Sequence, residues 1–223
     1  MPSQDPARRA VVTGMGAVTP IGNDAETFWT NLLAGKPGGG PITTFDTTGF
    51  DVKIAAEVKD FDPTVAMDRK MARRMSRFIH FGMAAATEAV ERSGLDFSTW
   101  TPEQRDRAAV VLNTGGGGME QVIEGANTIR DKGPGQVSPF AIPALSGSMA
   151  AAQVSMRYGL TGPVMTQVAA CASGVIAFQD ALRLIANDEC DVVIAGGSEA
   201  PLLAMAFVSV TSLSGVEVPW ATR

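Results

Sequence analysis

The segment Gln167-Val-Ala-Ala-Cys-Ala-Ser-Gly-Val-Ile-Ala-Phe178 combines three structural signals in one short stretch. An apolar run leads into Cys171, and the residues around that cysteine are small. Apolar residues at helical spacing follow it, namely Ile176, Phe178, Ala181, Leu182 and Ile185. The pattern predicts a strand, a tight turn and a helix over 172–188, with the thiol of Cys171 at the helix start.

The position of Cys171 suggests a chemical role. At a helix start, the unpaired backbone N–H groups and the positive end of the helix dipole favour a thiolate. A thiolate is a nucleophile, and the small neighbours leave room for a bulky acyl group. The alternative is a small buried cysteine at a crowded turn, because free cysteine is among the most buried residue types. Spacing alone leaves both interpretations open.

Strand and helix signals alternate along the rest of the chain. Buried strands are predicted at 10–18, 108–113, 164–168 and 191–196, and Cys190 is expected in the core beside the last of them. Residues 41–66 are predicted to form a loop with short strands. Helices are predicted at 69–93, 119–130 and 145–157, with another capped by Asn23 or Asp24. The alternation predicts an α/β fold whose sheet is covered by helices on both faces.

Composition narrows the class of protein. The chain has 223 residues, 45% of them hydrophobic, and a net charge of −5. This length allows one large domain or two small ones, and the acidic balance argues against general nucleic-acid binding. The N-terminus lacks the apolar core of a secretory signal, and no apolar run approaches the ~20 residues of a membrane span. Two widely separated cysteines indicate a reducing compartment without disulfides, so we expect a soluble cytoplasmic protein.

Two glycine-rich segments resemble nucleotide-binding motifs but lack essential residues. Gly14-Met-Gly16 would need a third glycine where Thr19 stands, and Pro20 follows. Thr114-Gly-Gly-Gly-Gly118 is not followed by the Lys-Ser/Thr pair of a phosphate-binding loop. Both are predicted to be backbone turns, and no cofactor or metal is expected.

Basic residues cluster at one place in this acidic chain. Lys70, Arg73, Arg74 and Arg77 have the spacing of one stripe on the helix predicted over 69–93. The stripe is either a solvated helix face or a docking site for an acidic partner steered by charge. His80, the only histidine, lies in the same helix and is expected to be structural. The role of Glu199, at the end of a predicted strand, stays undecided.

Several motifs together carry a family resemblance. Over about residues 8–214 the chain resembles the elongating, type II β-ketoacyl-acyl-carrier-protein synthases. The matching motifs, in the family's order and spacing, are Val11–Gly22, Arg77–Gly82, Ser138-Pro-Phe140, Tyr158–Pro163, Ala170-Cys-Ala-Ser-Gly174 and Asp191–Glu199. The resemblance implies a thiolase-like α/β fold of two similar βαβαβαββ halves, each with a mixed sheet and helices on both faces. This chain corresponds to the first half, with residues 1–214 as an N-terminal domain and 215–223 as a divergent tail. The abrupt change at the tail suggests a truncated or frameshifted reading frame.

The resemblance also implies site residues. Cys171 would be the nucleophile, and its backbone N–H would contribute to the oxyanion hole. Gly116 and Phe140 would border the acyl pocket, whose mouth a glycine at 116 would leave open. Lys70, Arg73 and Arg74 would dock the acyl carrier protein.

The implied reaction is acyl-chain elongation in fatty acid biosynthesis. A malonyl carrier loses carbon dioxide and condenses with the acyl group bound to the cysteine, in an enzyme that is a homodimer. Two histidines and a lysine for this step come from the family's second half, so we expect this chain alone to lack condensing activity. The alternatives are a non-catalytic carrier-binding partner or pseudoenzyme, part of a polyketide ketosynthase, or a thiolase. Retention of Cys171 counts against a chain-length-setting subunit, where that thiol is typically replaced.

Overall fold

The computed structural model describes residues 9–207, which fall into two compact units. The first unit contains the described residues up to Ala17 together with Asp62–Ala200. The second contains Val18–Phe61 and the described residues from Pro201 onward. The tail predicted at 215–223 lies outside the described residues.

The elements are numbered in chain order through both units. The helices are α1 (Ala25–Leu33), α2 (Arg69–Ala72), α3 (Arg77–Ser93), α4 (Pro102–Asp106), α5 (Met119–Lys132), α6 (Ala141–Leu145), α7 (Met149–Tyr158) and α8 (Ser173–Ala186). The strands are β1 (Gly40–Pro41), β2 (Ile54–Ala55), β3 (Ala108–Asn113), β4 (Val164–Met165) and β5 (Val192–Gly197). No described helix has both the length and the apolar content needed to cross a membrane.

A parallel sheet of three strands, in the order β4-β3-β5, organises the first unit. Every residue of β3 is buried, and β3 pairs along its whole length with β5, from Ala108↔Val192 to Asn113↔Gly197. A continuously apolar strand requires cover on both faces of its sheet. The strand predicted at 108–113 is therefore confirmed.

Helices cover both faces of this sheet. On one face, Ala109 and Val111 of β3 pack with Ala177 and Leu184 of α8 and with Cys190. Because successive strand side chains point to opposite faces, the remaining residues of β3 face the other way. There α7 contacts β3, and α3 contacts both α7 and β5. The predicted α/β class is confirmed.

The helix predicted over 69–93 is wrong as a single element. It is divided into α2 and α3, and Ser76 stands at the N-cap of α3. His80 Nε2 lies 2.9 Å from the carbonyl oxygen of Ala72, the last residue of α2, so the ring satisfies a carbonyl at the break. The buried face of α3 includes Phe78, Ile79 and Met83, and Gly94 ends the helix with a φ of 73°.

The buried strand predicted at 10–18 is also wrong. This segment forms no strand, and both Val11 and Val12 are 73% exposed. It lies beside α3 instead, where the Ala17 N–H donates to Glu88 Oε2 at 2.9 Å. A Cβ on Gly14 would stand 2.0 Å from the carbonyl oxygen of Ala89, so the glycine permits this close approach.

Other predicted elements form with different limits. The strand expected over 164–168 is reduced to β4, and the helix expected over 145–157 begins only at Met149. Helix α8 buries Ala177, Ala181 and Leu184, whereas Phe178 and Leu182, both expected on its inner face, are exposed. Two alanines and Leu184 thus form the buried contact of α8.

The second unit is built from α1 and a short hairpin. Asp24 caps α1 by accepting the Thr27 N–H at 2.7 Å, as predicted. Strands β1 and β2 pair antiparallel within the region predicted to be loop with short strands. Near them Glu57 is buried, and its carboxylate accepts hydrogen bonds from the backbone and hydroxyl groups of Thr43 and Thr44.

Candidate active site

The two cysteines have opposite environments. Cys171 is exposed in a single turn of 3₁₀-helix, Ala170–Ala172, immediately before α8. Cys190 is fully buried, as predicted, and burial raises the pKa of its thiol. The structure therefore places Cys171 at the predicted strand–turn–helix junction, where a reagent in solution can reach it.

The backbone of this junction is strained immediately before the cysteine. Ala170 has a φ of 48°, in the left-handed region that residues other than glycine rarely adopt. The Ala172 N–H closes the turn by donating to the Ala169 carbonyl at 3.0 Å. Strain of this kind persists only where the surroundings hold the chain in place.

Two buried polar residues hold the junction against the end of β3. Asn113 donates to the Ser173 carbonyl at 3.0 Å and accepts the Gln167 N–H at 2.8 Å. The Ser173 hydroxyl accepts the Ala169 N–H at 3.0 Å and donates to the Thr114 carbonyl at 3.1 Å. These bonds fix the chain on both sides of Cys171.

Sequence reasoning did not assign this role to Asn113 or Ser173. The available signal was Asn113 itself, a polar residue ending an otherwise apolar buried strand. Buried polar side chains almost always have a hydrogen-bond partner. Such a residue beside a glycine turn therefore indicates a fixed loop, although it does not identify the partner.

The glycine turn Thr114–Gly118 lies against the same junction. A Cβ on Gly115 would stand 3.5 Å from the Cα of Ala170 and 2.6 Å from Oε2 of Glu199. The Glu199 carboxylate accepts the N–H groups of Gly115 at 2.5 Å and of Gly116 at 2.9 Å. The turn and the cysteine junction are therefore direct neighbours.

Gly116 does not border empty space. A Cβ at this position would lie 2.8 Å from the sulfur of Met119. The Met119 side chain occupies the volume beside Gly116, and an open pocket mouth at this position stays a prediction. A methionine side chain is flexible and can move aside.

The predicted basic stripe is not a single helix face. Lys70 lies in α2, Arg73 and Arg74 in the turn after it, and Arg77 at the start of α3. Lys70 and Arg73 are exposed. Arg74 is half-buried, and its guanidinium stands 4.2 Å from the ring centroid of Phe140. The structure thus brings together Arg74, expected to dock the carrier, and Phe140, expected at the acyl pocket.

Fold and site together define a class of protein. A parallel sheet is flanked by helices, and an exposed cysteine lies at the start of α8. The fold is the thiolase-like fold of solved ketosynthases. Residues 7–217 match the family described as "Beta-ketoacyl synthase, N-terminal domain". The chain belongs to the β-ketoacyl synthase family.

Its relatives include two curated bacterial proteins named 3-oxoacyl-[acyl-carrier-protein] synthase 2. That of Coxiella burnetii is 40% identical over 210 residues, covering 93% of this chain and 50% of the relative. That of Staphylococcus aureus strain COL is 41% identical over 205 residues, covering 92% and 49%. The solved structure of the ishigamide ketosynthase/chain length factor superposes with a TM-score of 0.83 at 26% identity, over 94% of this chain and 51% of that one. The chain spans about half the length of the curated relatives it matches.

Proposed function

We propose that this chain supplies the acyl-accepting cysteine of a 3-oxoacyl-acyl-carrier-protein synthase that elongates fatty acyl chains. The observation that carries the proposal is the exposed Cys171 on a junction held by Asn113 and Ser173. A nucleophile needs both access and a fixed orientation toward the carbonyl that it attacks.

The first half-reaction follows from this geometry. The Cys171 thiolate attacks the carbonyl carbon of an acyl-carrier thioester, and the backbone N–H of Cys171 donates to the oxyanion that forms. Collapse of the intermediate breaks the bond to the carrier sulfur. The acyl group stays on Cys171, and the carrier leaves as a thiolate that takes up a proton. The malonyl carrier would then lose carbon dioxide and attack this thioester, with groups from the second half of the enzyme.

Carrier docking is assigned to the basic segment. Lys70 and Arg73 present exposed positive charge, which suits an acidic carrier steered by electrostatic attraction. Arg74 connects this surface to Phe140, which we place with Gly116 at the acyl pocket. The relatives' names include the acyl carrier protein, in agreement with this assignment.

We also propose that the protein forms a homodimer and is located in the cytoplasm. The outward face of α8 exposes Val175 by 73%, Phe178 by 54% and Leu182 by 56%, at the spacing of one helix face. A second copy of the chain would cover this apolar surface. Contiguous apolar area on a soluble protein commonly marks such an interface.

The test is acyl transfer measured on the carrier. The protein is mixed with a fatty-acyl carrier, and conversion to free carrier is followed by mass spectrometry. We expect about one equivalent of free carrier per protein chain, none with Cys171→Ala, and the wild-type amount with Cys190→Ala. Carrier binding without any transfer would contradict the proposal and favour the non-catalytic partner.

A further inference from the structure

Glu199 has no role in the reaction described so far. We infer that Glu199 is a positioning residue, whose carboxylate fixes the glycine turn Thr114–Gly118 beside Cys171 and so determines which acyl chains the site accepts. This inference rests on the proposed function, because it concerns the pocket of the same site.

The contacts of Glu199 converge on one side of the turn. Its Oε2 accepts the Gly115 N–H at 2.5 Å, the Gly116 N–H at 2.9 Å and the Thr114 hydroxyl at 3.3 Å. Successive backbone N–H groups directed at one oxygen form a small anion-binding nest. Hydrogen bonds to an ionised acceptor are roughly twice as strong as neutral ones. What the position requires is an acceptor oxygen at the reach of Glu199, which meets both glycine N–H groups at once.

The sheet register explains how residues so distant in sequence meet. Asn113 at the end of β3 pairs with Gly197 at the end of β5. Glu199 follows β5, and the glycine turn follows β3, so both leave the sheet at the same edge. The Ser198 N–H also donates to the Asn113 carbonyl at 3.0 Å, which extends the pairing toward Glu199.

The half-buried glycines Gly115 and Gly116 lie between the exposed Glu199 and the cysteine junction. A Cβ on Gly115 would meet Glu199 at 2.6 Å on one side and Ala170 at 3.5 Å on the other. A Cβ on Gly116 would meet Met119 at 2.8 Å. The position of this turn thus determines the space beside residue 170, next to the nucleophile, and the position of Met119.

A second anchor limits the effect of losing Glu199. The Gly118 N–H donates to the Leu145 carbonyl at 3.1 Å, and the Gly117 N–H donates to the Thr114 hydroxyl at 3.1 Å. The Gly118–Leu145 bond does not involve the carboxylate, whereas the Thr114 hydroxyl is also hydrogen-bonded to Glu199. Removing Glu199 should therefore release Gly115 and Gly116 while the rest of the turn stays in place, which changes the pocket without unfolding the protein.

The experiment compares Glu199→Gln, Glu199→Asp and Glu199→Ala with the matched control Glu189→Gln. Glu189 is an exposed carboxylate at the opposite end of β5. The measurements are the rates of acyl transfer to Cys171 from hexanoyl and dodecanoyl carrier, and the rate of Cys171 alkylation by iodoacetamide. The small reagent reports access to the thiol without using the pocket.

We expect the dodecanoyl-to-hexanoyl rate ratio to fall about tenfold in the Asp and Ala variants, which cannot hold Gly115 and Gly116. This tenfold fall is smaller than the roughly 100-fold loss of rate that a misplacement of about 1 Å can cause. The Gln variant keeps an acceptor oxygen at the same reach and should retain most of the ratio. Alkylation should stay within about twofold throughout, and Glu189→Gln should match the wild type.

Two outcomes would overturn the inference. One is an unchanged ratio in all Glu199 variants, and the other is an equal fall of both acyl rates and of alkylation, which indicates general damage. If the wild type is not acylated at all, the proposed function fails. Hydrogen exchange of the 114–118 peptide then still tests whether Glu199 holds the glycine turn in place. Exchange should be about tenfold faster in Glu199→Ala than in Glu199→Gln, and equal exchange would refute the positioning role.

Discussion

Cys171 and Cys190 have the same side chain but differ in solvent exposure because of where they lie in the fold. Helix α8 separates them along the chain, yet one is exposed and the other has no exposed surface. Burial disfavours the thiolate and raises the pKa of Cys190, which makes it a poor nucleophile. The chemistry assigned to Cys171 therefore depends on the junction that presents it.

Glu57 is the residue whose ionisation should affect stability most clearly. Hydrogen bonds, above all from the Thr43 hydroxyl, lower the pKa of its carboxyl below the ordinary value of 4.5. The folded state therefore gains stability above that value and loses it as the pH falls toward the lowered pKa. We expect Glu57→Gln to destabilise the protein by about 1.5–3 kcal/mol at pH 7.

The pH dependence of the unfolding free energy distinguishes the effect of the Glu57 charge from the effect of its packing. Urea unfolding of the wild type should show a declining free energy of unfolding from about pH 5 downward, whereas Glu57→Gln should show a smaller decline. Parallel pH profiles for the two proteins would contradict the assigned role of the carboxylate. Glu26→Gln, at an exposed position of α1, serves as the control.

At the scale of elements, the cysteine junction depends on the end of β3. Replacing Asn113 with Leu removes the donor to Ser173 and the acceptor of the Gln167 N–H. Leaving the buried Ser173 carbonyl unsatisfied costs about 1–3 kcal/mol, and the part-buried Gln167 N–H adds less. We expect a loss of unfolding free energy in that range and slower acylation of Cys171. The exposed Asn187, replaced in the same way, should change neither quantity, and a wild-type acylation rate in Asn113→Leu would contradict the account.

The break between α2 and α3 gives the basic residues unequal roles. Arg74 is stacked on Phe140, whereas Lys70 and Arg73 are exposed. We expect Lys70→Glu with Arg73→Glu to weaken carrier binding roughly tenfold at low ionic strength, and less at high salt because exposed charges are screened. Arg130→Glu, in the exposed part of α5, should have little effect. Titration that shows equal affinity for all variants would mean that the segment is only a solvated surface.

These elements also show what the sequence could predict. The apolar run of β3 is a local signal, and this strand formed as predicted. The break before Ser76 was missed because Met75 continues the apolar period of the helix. The segment 10–18 was misassigned because its contact with Glu88 joins residues 71 positions apart. The glycine turn was identified from its composition, but Glu199 was not, because its partners lie 83–85 residues away.

At the scale of the molecule, α8 presents an uncovered apolar face. Val175, Phe178 and Leu182 are each more than half exposed, and together they form one side of the helix. We expect the chain to self-associate in gel filtration, and the variant Val175→Thr, Phe178→Gln and Leu182→Gln to elute as a smaller species. Val122→Thr with Ile129→Gln, at exposed apolar positions of α5, provides a matched control. Elution of the wild type as a monomer would contradict the proposed interface.

In the proposed function, condensation uses groups from the second half of the enzyme. The only histidine, His80, lies at the α2–α3 break, where burial lowers the pKa of its ring. It is therefore held neutral in a structural contact. We expect the acyl-transfer half-reaction without condensation from this chain alone.

The most direct measurement is the location of the acyl group after reaction with a fatty-acyl carrier. The protein is quenched, digested without reducing agent and mapped by mass spectrometry, with the buried Cys190 as the internal comparison. We expect the acyl thioester on the peptide containing Cys171 and none on the peptide containing Cys190. An acyl group on Cys190, or an equal distribution between the two thiols, would contradict this expectation.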